Sequence, residues 1–138
     1  MHAFKYHRPS SVNDAAALMK GEAKLLAGGQ TLVQTMKLRL ASPSDIIDLG
    51  TIKDLAGIKS DGKTVTVGAM TRHADVAHSA DVRKAIPALA ALAAMIGDRQ
   101  VRAMGTIGGS LANNDPAADY PAAVLALNAT ITTNKGKH

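Results

Sequence analysis

The sequence contains no cysteine. That excludes disulfides, thiolate nucleophiles, cysteine-held zinc and iron-sulfur clusters within this chain, so any such metal centre has to sit on another polypeptide. Tryptophan is absent too, and one Phe and two Tyr complete the aromatic set. A core must therefore be assembled from Ala, Leu, Ile, Val and Met, thin side chains that let helices and strands approach closely. No stretch reaches the about 18 apolar residues of a membrane span, and the start from Met1 to Pro9 lacks an apolar run of signal-peptide length. These absences predict a cytoplasmic protein without membrane insertion.

What is present is enough for one core. A chain of 138 residues with 46% hydrophobic content can bury a sizeable interior, but a second full domain is not expected. Sixteen Lys and Arg against eleven Asp and Glu give a net charge of +5, which suits phosphates or an acidic partner. The basic residues are scattered and not interleaved with aromatics, so a nucleic-acid surface is not expected. A basic polyanion-binding module remains an alternative reading of the charge.

Along the chain, residues 11–20 predict a helix. Ser11 can cap the free amides, Asp14 stands three residues on, and Val12, Ala15, Ala16 and Met19 share a stripe. Lys24, Leu25 and Leu26 form a short strand that runs into Ala27-Gly28-Gly29-Gln30-Thr31, after which Leu32, Val33, Met36 and Leu40 take helical spacing. Residues 45–49 predict a second strand. Residues 55–59 face 64–67 across Asp61-Gly62 as a hairpin. Thr71 is expected to cap a helix towards His78, and residues 87–96 form another, so rich in Ala, Leu and Met that burial nearly all round is expected. Residues 99–121 show little periodicity and carry Gly105, Gly108, Gly109, two Asn and two Pro, which predicts a structured functional loop. Asp119 is expected to cap a short helix, with Pro121 in its first turn, and residues 129–133 to form a last strand. The ending, Asn134 to His138, reads as a turn into a further strand, and the sequence is expected to be a fragment.

Two glycine-rich turns carry the chemistry: residues 27–31 after a strand, and Gly105-Thr106-Ile107-Gly108-Gly109-Ser110. Both are expected to offer bare backbone amides. Glycine permits positive φ and close approach of a ligand, and a following helix adds partial positive charge, so a pyrophosphate is the natural guest. Gln30, Thr31, Thr106 and Ser110 add side-chain donors. Each turn alone also reads as no more than a tight connection. Neither matches a nucleotide pattern of firm spacing: Gly28-Gly29 lacks the third glycine of G-x-G-x-x-G, and G-x-x-x-x-G-K followed by Ser or Thr does not occur.

Taken together, residues 27–31 and Thr106-Ile107-Gly108-Gly109-Ser110-Leu111-Ala112-Asn113-Asn114-Asp115-Pro116-Ala117-Ala118-Asp119-Tyr120-Pro121 resemble the paired FAD signatures of the molybdopterin-dehydrogenase FAD-binding family. The medium subunits of aerobic carbon monoxide dehydrogenases are the most similar members, and the FAD domain of xanthine dehydrogenase is more distant. Phe4-Lys5-Tyr6-His7-Arg8-Pro9 with its helix, and Ile47-Asp48-Leu49, resemble the same subunits.

The resemblance implies an α+β fold: a two-part FAD-binding domain of the vanillyl-alcohol-oxidase type, residues 1–54 and 55–138, the second part truncated. It implies an electron-transfer flavoprotein subunit of a molybdenum hydroxylase. A large molybdopterin subunit oxidises substrate, a small subunit relays electrons through 2Fe-2S clusters, and FAD on this chain delivers them onward. No residue of this chain would act as acid, base or nucleophile on the substrate. An alternative is a truncated, non-catalytic fragment that binds FAD weakly or not at all.

Residue by residue, the resemblance implies that Ala27, Gly28, Gly29, Gln30 and Thr31, with Thr106, Ile107, Gly108, Gly109 and Ser110, cradle the pyrophosphate. Asp119 would meet a ribose or the adenine, which suits a carboxylate that accepts from hydroxyls; a plain helix cap fits it equally. Ile96 matches a position where the family packs an apolar residue on the adenine, although core packing is the commoner role. Asn113, Asn114 and Asp115 are expected to hold the loop backbone. Arg99 and Arg102 suit a phosphate or a partner subunit but more often lie solvated. Tyr120 either packs near the flavin or covers the helix start. His73 and His78, five apart, do not share a helical face as a metal pair. Family members with carbon monoxide activity often carry His where Gln30 stands, and xanthine dehydrogenases usually carry Asn where Ser110 stands, so neither position fixes a substrate.

Overall fold

The computed structural model describes all residues, 1–138. Its first half is built around a three-stranded parallel sheet: β1 (Lys5–His7), β2 (Lys24–Leu26) and β3 (Asp45–Asp48), in the order β1-β3-β2. Lys5 stands opposite Asp45, and Leu25 opposite Ile47. The central strand reads Asp-Ile-Ile-Asp, and both isoleucines are buried, as expected of a parallel strand covered on both faces. The His7 ring lies 2.7 Å from the Asp45 carboxylate, and the Tyr6 hydroxyl donates to Asp48, so side chains as well as the ladder tie β1 to β3.

α1 (Val12–Leu18) joins β1 to β2, and Ser11 caps it by accepting from the Asp14 amide at 3.1 Å. Ala15 of this helix packs with Ala23, Ile47 and Ile52 into a small core, flanked by Leu18, Leu49 and Leu55. α2 (Leu32–Lys37) is shorter than its apolar spacing suggested, because Arg39 adopts a left-handed φ of 59° and turns the chain before Leu40. Leu38 and Leu40 are left exposed.

The second half is mainly helical. A hairpin, β4 (Ile58–Ser60) with β5 (Val65–Val67), turns at Asp61, whose carboxylate accepts from the Lys63 and Thr64 amides. α3 (His73–His78), α4 (Ala80–Ala85), α5 (Pro87–Met95), α6 (Arg99–Met104), α7 (Ile107–Asn113) and α8 (Asp119–Ala126) follow. A larger core gathers Val76, Ala77, Val82, Leu89, Ala90, Ala93, Ile107 and Tyr120. A short hairpin, β6 (Thr132–Thr133) with β7 (Gly136–Lys137), ends the chain.

Several expectations are corrected here. Arg72, not Thr71, precedes α3, since the Thr71 hydroxyl is engaged with the Gly57 backbone at 2.9 and 3.0 Å. α5 is buried on one face only: Leu89, Ala90 and Ala93 point inward, while Met95 is 81% exposed. Uniformly apolar composition gave no periodicity from which the outer face could be told. Residues 99–113 are two helices, α6 and α7, and not a loop. Asp98 caps the first through Val101 N at 2.8 Å and Thr106 the second through Gly109 N at 3.1 Å, so in α7 the cap overrode the low helix preference of Gly108 and Gly109. Ala118 occupies the cap position of α8, which places Asp119 inside its first turn with no cap bond. The last strand begins at Thr132, not Ala129, because Asn128 turns left-handed at φ 48°.

Candidate functional site

The first glycine turn leaves β2 and enters α2. Gly29 sits at φ +72°, a conformation that favours glycine. None of the backbone amides of residues 27–31 donates to a carbonyl of the chain. The Gln30 side chain folds back, its Nε2 donating to the Gly28 carbonyl at 3.2 Å, and Thr31 gives its helix no side-chain cap. Five consecutive amides are therefore open to acceptors from outside the chain, on residues that are half-buried at 27–29 and exposed at Gln30 and Thr31.

The second turn is built differently. The Ile107 amide donates to Thr71 O at 3.1 Å, Gly108 to Ala69 O at 2.8 Å, and Ser110 to Thr106 O at 3.0 Å. Gly105 donates to Val101 O at 2.7 Å, and Gly109 to the Thr106 hydroxyl. Of this run only Thr106 keeps a free amide, so the expectation of bare amides holds for the first turn and fails for the second. Thr106 is itself buried. Its oxygen shapes the turn, and its hydroxyl proton is the side-chain group it can still offer.

The glycines of the second turn serve close packing. A Cβ on Gly108 would lie 2.6 Å from the Ala69 Cβ, nearer than packed atoms approach. The two turns also meet. A Cβ on Gly28 would fall 2.2 Å from the Met104 carbonyl oxygen and 2.7 Å from the Gly105 Cα, and one on Gly109 would touch the Ala27 Cβ at 3.4 Å. Two segments nearly eighty positions apart thus form one backbone-lined surface.

The remaining expected residues are placed as follows. Asp119 is exposed at the start of α8 and is bonded to neither turn. Ile96 is half-buried against the larger core, and its carbonyl accepts from Arg102 Nη1 at 3.0 Å. Arg102, which also donates to Gly97 O at 2.9 Å, is held by the chain instead of lying solvated, while Arg99 is exposed. Asn114 closes α7 in the left-handed region, and Asp115 accepts from the Ala117 amide at 2.9 Å. Asp115 thus holds the backbone through its side chain, as expected, whereas Asn114 does so only through its own left-handed backbone and Asn113 makes no side-chain bond to it. No group of side chains able to hold a metal ion occurs, and no helix is long and apolar enough to cross a membrane.

Sequence reasoning missed how two rings beside the second turn are used. His73 is 5% exposed and Tyr120 fully buried, their ring centroids 5.3 Å apart. Neither the imidazole Nδ1 nor the phenol oxygen has a hydrogen-bond partner. The signal was available: His73, Val76 and Ala77 fall at i, i+3 and i+4 and are all buried. Burial pushes the imidazole below its ordinary range and the phenol well above its own, so both stay neutral. Neither of the two ion pairs, His7 with Asp45 and Arg8 with Asp48, offers His73 a counter-charge.

The sign of the pH dependence follows. The unfolded chain takes up a proton on His73 more readily than the folded one, so stability falls as pH drops through the ordinary imidazole range towards the depressed folded value. Thermal unfolding between about pH 7.5 and about pH 5 should show a steeper loss for the wild type than for His73→Gln. Equal slopes would remove His73 as the source.

Comparison with known proteins gives a consistent neighbourhood. Residues 2–138 match the family described as the FAD binding domain in molybdopterin dehydrogenase. The carbon monoxide dehydrogenase medium chain of Hydrogenophaga pseudoflava is 46% identical over 129 residues, covering 91% of this chain and 45% of that one. The glyceraldehyde dehydrogenase medium chain of Sulfolobus acidocaldarius is 41% identical, covering 93% of this chain and 46% of its own length. Among solved structures, a carbon monoxide dehydrogenase from Hydrogenophaga pseudoflava superposes with a TM-score of 0.92 at 44% identity, covering 98% of this chain and 49% of that one. Quinoline 2-oxidoreductase from Pseudomonas putida 86 does so with a TM-score of 0.92 at 32% identity. The chain spans about half the length of these relatives.

Proposed function

The chain belongs to the family of FAD-binding domains in molybdopterin dehydrogenases, and from that premise we propose that it is the FAD-binding, electron-transferring part of a molybdenum hydroxylase. A large molybdopterin subunit and a small iron-sulfur subunit are its partners. The small subunit's 2Fe-2S clusters relay electrons from the substrate centre to this chain, which passes them to an acceptor. When bound, FAD supplies the redox chemistry; the protein supplies binding, placement and electrostatics. The absence of cysteine agrees with that division, because the clusters then need a different chain. The complex is placed in the cytoplasm.

The observation that carries the reading is the run of five unengaged amides at residues 27–31, pressed against a second glycine turn so closely that Gly28 has no room for a Cβ. A diphosphate presents several anionic oxygens to such a run, and backbone amides suit them without a charged side chain. Ala27, Gly28, Gly29, Gln30 and Thr31 hold the pyrophosphate. Thr106, Ile107, Gly108, Gly109 and Ser110 form the opposing wall. Asp119 accepts from ribose hydroxyls, and Ile96 offers its uncovered edge to the adenine. The two FAD-binding parts are residues 1–54 and 55–138, a division supported by the separate cores around Ile47 and Val76.

Calorimetric titration of the purified chain with FAD tests this. Saturable one-to-one binding, competed by ADP, is expected. Absence of heat at high micromolar FAD would overturn the reading for this chain.

A further inference from the structure

Two side chains outside both glycine turns connect the parts of the site. His73 opens α3, and Tyr120 is the second residue of α8, next to Asp119. The imidazole presses on Gly105: a Cβ there would lie 2.5 Å from the His73 Nε2 and 2.8 Å from its Cδ2. The His73 amide donates to the Gly105 carbonyl at 3.0 Å, and the neighbouring residues Arg72 and Thr106 form a β-bridge. Gly105 is in turn what Gly28 rests against. On the other flank, the imidazole and phenol rings tilt together at 43°. One continuous stack results: Gly28 on Gly105, Gly105 on the imidazole, the imidazole on the phenol. It runs through the first turn, the second turn and the start of α8.

We propose that His73 and Tyr120 are positioning residues whose planar rings set the spacing between the two glycine turns and Asp119; this deepens the FAD reading and rests on it. Shape is the property that accounts for them. The imidazole Nδ1 and the phenol oxygen are buried without partners, which costs stability, so bonds from these two atoms do not explain the pair. The imidazole meets the Gly105 backbone through its Nε2–Cδ2 edge and the phenol at a tilt of 43°, a planar fit that a branched aliphatic side chain does not reproduce. Contacts of this kind transmit position because a packed interior is not continuously deformable.

The test uses His73→Leu, Tyr120→Phe and Tyr120→Leu, each checked for folding by circular dichroism. Hydrogen exchange at the Ile107 and Gly108 amides, bonded to Thr71 O and Ala69 O, reports the second turn without any ligand. His73→Leu should speed exchange at both while leaving the β4–β5 hairpin unchanged, and should weaken FAD binding about tenfold. Tyr120→Phe keeps the ring and should match the wild type in both measurements; Tyr120→Leu should not. Wild-type exchange in His73→Leu, or equal damage from Tyr120→Phe and Tyr120→Leu, would overturn the proposal. If His73→Leu does not fold, the two Tyr120 variants decide it. A wild type that fails to bind FAD defeats the FAD reading alone, and the exchange data still decide the stack.

Discussion

Gly28→Ala is expected to force the two glycine turns apart and to lower FAD affinity by about a hundredfold, the scale on which a misplacement of about 1 Å acts in a preorganised site. The added Cβ would sit 2.2 Å from the Met104 carbonyl oxygen, 2.7 Å from the Gly105 Cα and 2.9 Å from the Met104 carbonyl carbon. All three are backbone atoms, so no rotamer change relieves the clash. Overpacking costs about 1–3 kcal/mol, and here it falls on the joint between the amide run and its opposing wall. A control comes from Gly62, whose φ of +86° strains any other residue but whose Cβ direction is open. Gly62→Ala should lose about 1 kcal/mol to backbone strain and leave FAD affinity unchanged. Calorimetry and thermal unfolding on both variants check the pair, and a Gly28→Ala protein that binds FAD as tightly as the wild type would refute the close-joint account.

Ile47→Ala is expected to cost about 2–5 kcal/mol, against about 0.5–1.5 kcal/mol for Ile47→Val. Ile47 is wholly inaccessible on the central strand, paired with His7 on one side and Leu25 on the other, and packed with Ala15, Ala23 and Ile52. Two of these three partners are alanines too small to fill the space left, and the flanking Leu18, Leu49 and Leu55 only border this core. Whole domains are stable by only about 5–15 kcal/mol, which makes this loss a large share of the total. Because β2 delivers the chain into the first glycine turn, FAD affinity should fall together with the urea midpoint. Equal midpoints for the alanine and valine variants would show that Ile47 is not the anchor of this core.

Local signals read well from the sequence. Ser11 with Asp14, the apolar pairs in β2 and β3, and Asp61-Gly62 each state their geometry within a few residues, and each is found where the pattern placed it. Signals were lost where composition erased the contrast. In residues 99–113 the short length of α6 and the glycines of α7 masked two helices that Asp98 and Thr106 cap; in α5 the uniform run of Ala, Leu and Met hid which face is outside. The paired turns were legible as motifs, but the unequal supply of amides was not. Which amides are engaged depends on the carbonyls of Ala69 and Thr71, contributed by a distant segment. His73 and Tyr120 were read one at a time, His73 only as half of a metal pair that its spacing from His78 ruled out and Tyr120 as packing near the flavin or covering the helix start, because their relation to each other exists only after folding.

The strand order of the parallel sheet also imposes a timetable. β1 and β2 are never neighbours; each finds its only ladder on β3. While the chain emerges from a ribosome, the first two strands must therefore wait, with edge groups unpaired, until Asp45 to Asp48 is free. Only the helices α1 and α2, built from local contacts, need not wait for it. Sheet closure then follows a slow, non-local search, and the interval before it is when this half of the molecule is most open to mispairing with another nascent copy.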